Sequence, residues 1–142
     1  MGSLERTLLS LYQHEVELCC LYQDGELHIK NEKVCEKLQD FLKDHNSHVA
    51  TLSKLFNWLE EPWKMCRTSK PYLHNYKVLK NINNEEDALK AIQTGELLTI
   101  KAYQNVSRQN IDDEDLTNIL KQHINDNEKP YEYTNSQLKN RR

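Results

Sequence analysis

The sequence predicts an all-helical chain: a four-helix bundle of two antiparallel helical hairpins joined by a long crossover. Three observations predict it. Only three Gly and three Pro occur in 142 residues, against 29% charged residues, which suits long amphipathic helices better than a turn-rich sheet. Apolar residues recur at alternating steps of three and four, the spacing of one helix face. Short polar turns break the pattern twice, and one stretch of about two dozen residues lacks any period. A single domain over residues 1–142 follows, with hairpin one at about 4–60, the crossover at about 61–84 and hairpin two at about 85–138.

The first helix is read from Leu4, Leu8, Leu11, Glu15, Leu18, Tyr22, Gly25 and Ile29. Gly25 costs about 1 kcal/mol against Ala inside a helix, so it either weakens the last turns or admits a close neighbour. Lys30-Asn31-Glu32 reads as a turn with Asn31 as N-cap. The second helix follows Val34, Leu38, Phe41, His45, His48, Leu52, Leu55 and Leu59, and stops at Glu60-Glu61-Pro62. The crossover carries Trp63, Pro71 and Tyr72, with a short helical piece expected near Leu73 to Leu79; Trp58, Trp63 and Tyr72 are expected to cap the core or make an oligomer contact. Asn84 before Glu85-Glu86-Asp87 is a strong helix start. The third helix follows Leu89, Ile92, Glu96, Thr99, Tyr103 and Val106. The fourth begins near Asp113 with Leu116, Ile119 and Leu120 and weakens through Asn127, Pro130, Thr134 and Gln137. Pro130 is expected to kink or break it, and the polar end "NSQLKNRR" to fray.

Composition excludes several functions. A net charge of -3 and a pI near 6.1 argue against broad nucleic-acid binding. No apolar run approaches the roughly 20 residues of a membrane span. No basic segment precedes an apolar one with a cleavage site, so no signal peptide is expected and the cytoplasm is the expected compartment. Cys19, Cys20, Cys35 and Cys66 form no C-x-x-C pair, and Cys19 and Cys35 are expected to pack as small apolar groups. The isolated glycines make no phosphate-binding loop, and no nucleophile–base order stands out. A homodimer is the expected assembly, with no nucleic acid and no membrane as partner.

The two halves repeat. Glu96 and Tyr103 follow Glu15 and Tyr22 at an offset of 81, and helix two maps onto helix four at 82, pairing His45 with Asn127 and His48 with Pro130. Polar groups sit where the stripes should be apolar: Glu15, Glu96, His45 and His48, with His123 and Asn127 on helix four. A buried carboxylate without a partner costs several kcal/mol, so these groups should meet near mid-height of the bundle.

The segments "HEVELCCLYQDGELHI", "VCEKLQDFLKDHNSHVATL", "PYLHNYKVLK" and "TGELLTIKAYQNV" carry a resemblance to the ferritin-like superfamily, in its small bacterial four-helix branch. The resemblance implies a ligand set of one Glu from each of two helices plus Glu-x-x-His from each of the other two. Carried over, the Glu residues are Glu15 and Glu96. The helix-two motif becomes His45-x-x-His48, and the helix-four motif becomes Asn127-x-x-Pro130. Asp44 and Asp126 lie one residue off the face as substitutes.

Two carboxylates and two neutral imidazoles balance one divalent ion, so the candidate metal ligands are Glu15, His45, His48 and Glu96, for a single Fe, Mn or Zn. The alternative is that protonated histidines neutralise the two Glu, leaving a vestigial polar core. Two functions stay open at this point. One is a non-catalytic helical bundle of unassigned role. The other is an iron-binding or other divalent-metal-binding protein with oxygen or peroxide chemistry.

Overall fold

A computed structural model describes residues 3–55 and 82–141. Four helices account for nearly all of them: α1 (Ser3–Glu26), α2 (Glu32–Leu55), α3 (Glu85–Ser107) and α4 (Glu114–Lys139). No strand occurs among the described residues. Residues 61–81 of the crossover expected at about 61–84, the helical piece near Leu73, the three aromatics Trp58, Trp63 and Tyr72, and the end of the second stripe lie outside the described residues.

Local chemistry sets the helix starts. Asn31 Oδ1 accepts from the backbone N–H of Lys33 and Val34 ahead of α2. The side chain of Asn84 accepts from Asp87 N at 2.8 Å, and that of Asp113 from Leu116 N at 3.0 Å. Three acids in the first turn of α3 complement the N-terminal end of its dipole.

Both hairpins pack antiparallel, and α1 also packs along α3. At one end of the bundle Lys30 N and Asn31 N donate to Glu85 Oε1. At the other, the side chain of Gln109 reaches Thr7. The chain therefore leaves α2 at the end of the bundle opposite to where α3 begins. Gly25 resolves in favour of close approach, since a Cβ built there would lie 3.3 Å from Ile92 Cδ1 and 3.7 Å from Ala88 Cβ. On the fourth side, α2 and α4 meet over fewer of the described residues than the other neighbouring helices do.

The core has two apolar clusters. One holds Leu8, Leu11, Val49, Leu52, Val106 and Leu120. The other, toward the Gly25 end, holds Leu18, Leu21, Leu38, Leu89, Ile92 and Leu138. The polar residues of the stripes lie between them.

A break at Pro130 and a frayed end, both expected from the sequence, do not occur in α4. The helix runs unbroken through Pro130 to Lys139. Asn127, Pro130, Thr134 and Leu138 are all buried, so packing outweighs the lost backbone hydrogen bond. The polar end does not fray either: Leu138 is buried, and Arg141 pairs with Glu85 at 2.9 Å. Among the described residues, no helix is long and apolar enough to cross a membrane. Cys19 and Cys35 are free thiols, whereas Cys20 is disulfide-bonded.

Candidate metal centre

Helical spacing brings the polar residues of the stripes together. Glu15 comes from α1, His45 and His48 from adjacent turns of α2, Glu96 from α3, and His123, Asp126 and Asn127 from α4. Glu15 and Glu96 are fully buried, as are His45 and Asn127 to within 1%.

Glu15 is the hub. Its Oε2 accepts from His45 Nδ1 at 2.8 Å. Its Oε1 accepts from Asn127 Nδ2 at 2.9 Å, Tyr103 OH at 3.2 Å and His48 Nδ1 at 3.3 Å. His45 spans both halves of the chain, because its Nε2 meets Glu96 Oε1 at 2.5 Å. The tyrosines cross over. Tyr22 of the first half donates to Glu96 at 2.6 Å, while Tyr103 of the second half donates to Glu15. His48 Nε2 pairs with Asp126 Oδ2 at 2.9 Å, and its ring stacks on His123 with centroids 3.9 Å apart.

These contacts fix the protonation of the network. Burial favours neutral Glu15, but the charges of His45 and His48 and their hydrogen bonds outweigh it and hold its carboxyl far below the usual range. Burial likewise opposes a charge on His45, yet the carboxylates of Glu96 and Glu15 lift its pKa to about 10. His48 is raised against burial, by hydrogen bonds from its ring to Glu15 and Asp126 and by the charge of Glu15. Burial raises Glu96, against the pull of His45 and the hydrogen bond from Tyr22. His123 is pushed down to about 4 by burial and by the neighbouring His48 cation. Without metal, His45 is therefore held as an imidazolium between Glu15 and Glu96, His48 is biased toward the same form by Glu15 and Asp126, and its ring lies over His123.

The same geometry offers a ligand set. One atom each from Glu15, His45 and His48 lies within 4.8 Å of the others. The Nδ1 atoms of both histidines face Glu15, and each Nε2 is anchored on a further carboxylate, Glu96 or Asp126. Metal-ligating histidines usually have their second nitrogen held by such a carboxylate. The donor set of nitrogens and carboxylate oxygen fits Zn(II), Mn(II) or Fe(II). Two buried atoms in the network, Glu96 Oε2 and Asn127 Oδ1, have no hydrogen-bond partner. Such orphans are expected where a ligand completes a site.

All four sequence candidates join one network, but only Glu15, His45 and His48 converge as a group; Glu96 reaches them through the far side of His45. Asp126 enters as a partner of His48, whereas Asp44 is exposed and takes no part. Cys19 is buried as expected for a small apolar group, but its thiol also bonds Asn46 Oδ1 and is pushed up by burial and by Glu15 and Glu96. No position on the stripes signals that bond. No protein-family model matches the chain, and no curated protein does.

Proposed function

We propose that the chain is a ferritin-like helical bundle whose buried centre takes up one divalent transition-metal ion at Glu15, His45 and His48. The observation that carries this reading is the convergence of three donor atoms whose histidines are each anchored from behind by a carboxylate. Glu96 and Asp126 then orient the ligands rather than bind. The antiparallel packing of α1 with both α2 and α3, and the opposite ends at which α2 stops and α3 starts, support the bundle topology. Uptake requires that His45 and His48 release the protons on Nδ1, so metal and protons compete for the same atoms. Bound Fe(II) or Mn(II) would supply redox chemistry toward oxygen or peroxide, and Zn(II) would not.

A second reading has its own support. Four donors already end on the two oxygens of Glu15, so the centre is also self-sufficient as an ion network inside a non-catalytic bundle. Elemental analysis separates the two after anaerobic loading with Fe(II), Mn(II) or Zn(II) and desalting. About one ion per chain, lost in Glu15→Gln and in His48→Ala, supports the metal centre. No retained metal leaves the ion network.

A further inference from the structure

Most of the network is sealed. The side chains of Glu15, Glu96, His45 and His48 are at most 4% exposed, and Tyr22, Tyr103 and Asn127 are equally enclosed. Asp126 differs, with its side chain 21% exposed. One of its oxygens, Oδ2, pairs with His48 Nε2, while Oδ1 is held at 2.9 Å by Gln122 Nε2 on the outer face of α4. It therefore spans from solvent to the histidine that touches Glu15. It also stands on the seam between α2 and α4, the side of the bundle where the helices meet over the fewest of the described residues.

From exposure, charge and packing together we infer that Asp126 is the port through which a divalent cation reaches the centre, along the α2–α4 seam. The inference rests on the metal reading above and adds a route to it. A carboxylate at the mouth of a low-dielectric seam attracts a cation from solvent. Passing the ion inward requires the His48 ring to swing from Asp126. The ring is held there by one hydrogen bond on each side and by a stack, without a covalent constraint. Asp126 thus acts on the rate of loading, while Glu15, His45 and His48 set how much metal is held.

The test follows Co(II) uptake by the full chain through its visible absorption in a stopped-flow instrument. Asp126→Asn should load about tenfold or more slowly, the lower end of the effect of a charged cleft on association, and with Co(II) in large excess still reach about one ion per chain, although held less tightly once the carboxylate behind His48 is gone. Its rate should also lose most of the salt dependence of the unmodified protein, which a purely structural defect would not cause. Asp126→Glu should restore the rate, and Asp44→Asn, which alters an exposed acid on α2, should load normally. An unchanged rate in Asp126→Asn would overturn the port. So would a failure to reach one ion per chain even with Co(II) in large excess, because Asp126 would then be a ligand. Failure of the unmodified protein to hold Co(II) would remove the metal reading, and the port with it.

Discussion

Replacing Glu15 by glutamine keeps the shape of the side chain and removes the charge that two imidazolium ions face. Breaking one partner of a buried ion pair costs on the order of 3 kcal/mol, so Glu15→Gln should lower the urea midpoint of the metal-free protein markedly. Asp44→Asn, at an exposed position, should leave it within about 0.5 kcal/mol. Glu15→Gln also removes one of the two carboxylates that lift His45, so the NMR titration of that ring should move down from about 10. At this scale the sequence was readable only in part. Glu15, His45, His48 and Glu96 announced themselves by interrupting apolar stripes. Asp126 stood out only beside Asp44, as a substitute one residue off the stripe, and nothing in the spacing told the two apart. Only the rim geometry of α4 turns it onto His48. The crossed tyrosines were equally hidden, since periodicity places Tyr22 and Tyr103 on faces but does not say whose carboxylate each will meet.

Helices supply the second scale. Gly25→Ala gains up to about 1 kcal/mol of helix propensity, against a contact that Ile92 must yield by a few tenths of an ångström. The two nearly offset, so thermal unfolding should shift little. Gly25→Leu has no such room and should cost about 1–3 kcal/mol by overpacking α1 against α3. Near the C-terminus of α4, Leu138→Ala should cost about 2–5 kcal/mol for a buried leucine, while Arg141→Ala should cost under about 1 kcal/mol as a partly exposed pair. A large effect from Arg141 and none from Leu138 would contradict the docked end described here. Local signals misjudged this segment: Pro130 and a polar tail argue for a broken, fraying helix. Burial of Pro130, Thr134 and Leu138 against the rest of the bundle overrides them, and no local window of sequence contains that information.

For the molecule as a whole, the buried charges make stability depend on pH from both sides. His45 has a folded pKa of about 10 against 6.5 unfolded, so its contribution is full below 6.5 and is lost as pH rises toward 10. His123 runs the other way. With a folded value of about 4, it stabilises above 6.5 and loses that contribution as pH falls toward 4. Glu15, held below its ordinary 4.5, adds to the loss in acid. The metal-free protein should therefore be most stable near pH 6.5 in urea titrations, and a flat profile from 6.5 to 9 would contradict imidazolium at His45. Metal affinity should instead rise with pH over that range, because ligation needs neutral imidazoles. The all-helical class and the four helices could be read from spacing and caps alone. The sparse contact of α2 with α4 among the described residues could not, since spacing along one helix does not say how closely its neighbours approach.

The most direct test of the centre is a crystal structure of the protein loaded with Zn(II), with anomalous differences collected at the zinc edge. The metal centre described here predicts one peak inside the bundle, about 2.0–2.2 Å from Glu15 oxygen, His45 Nδ1 and His48 Nδ1. Glu96 and Asp126 should still hold the opposite ring nitrogens. A bundle interior without a peak, with both histidines still hydrogen-bonded to Glu15, would contradict it and leave a closed ion network as the purpose of these residues.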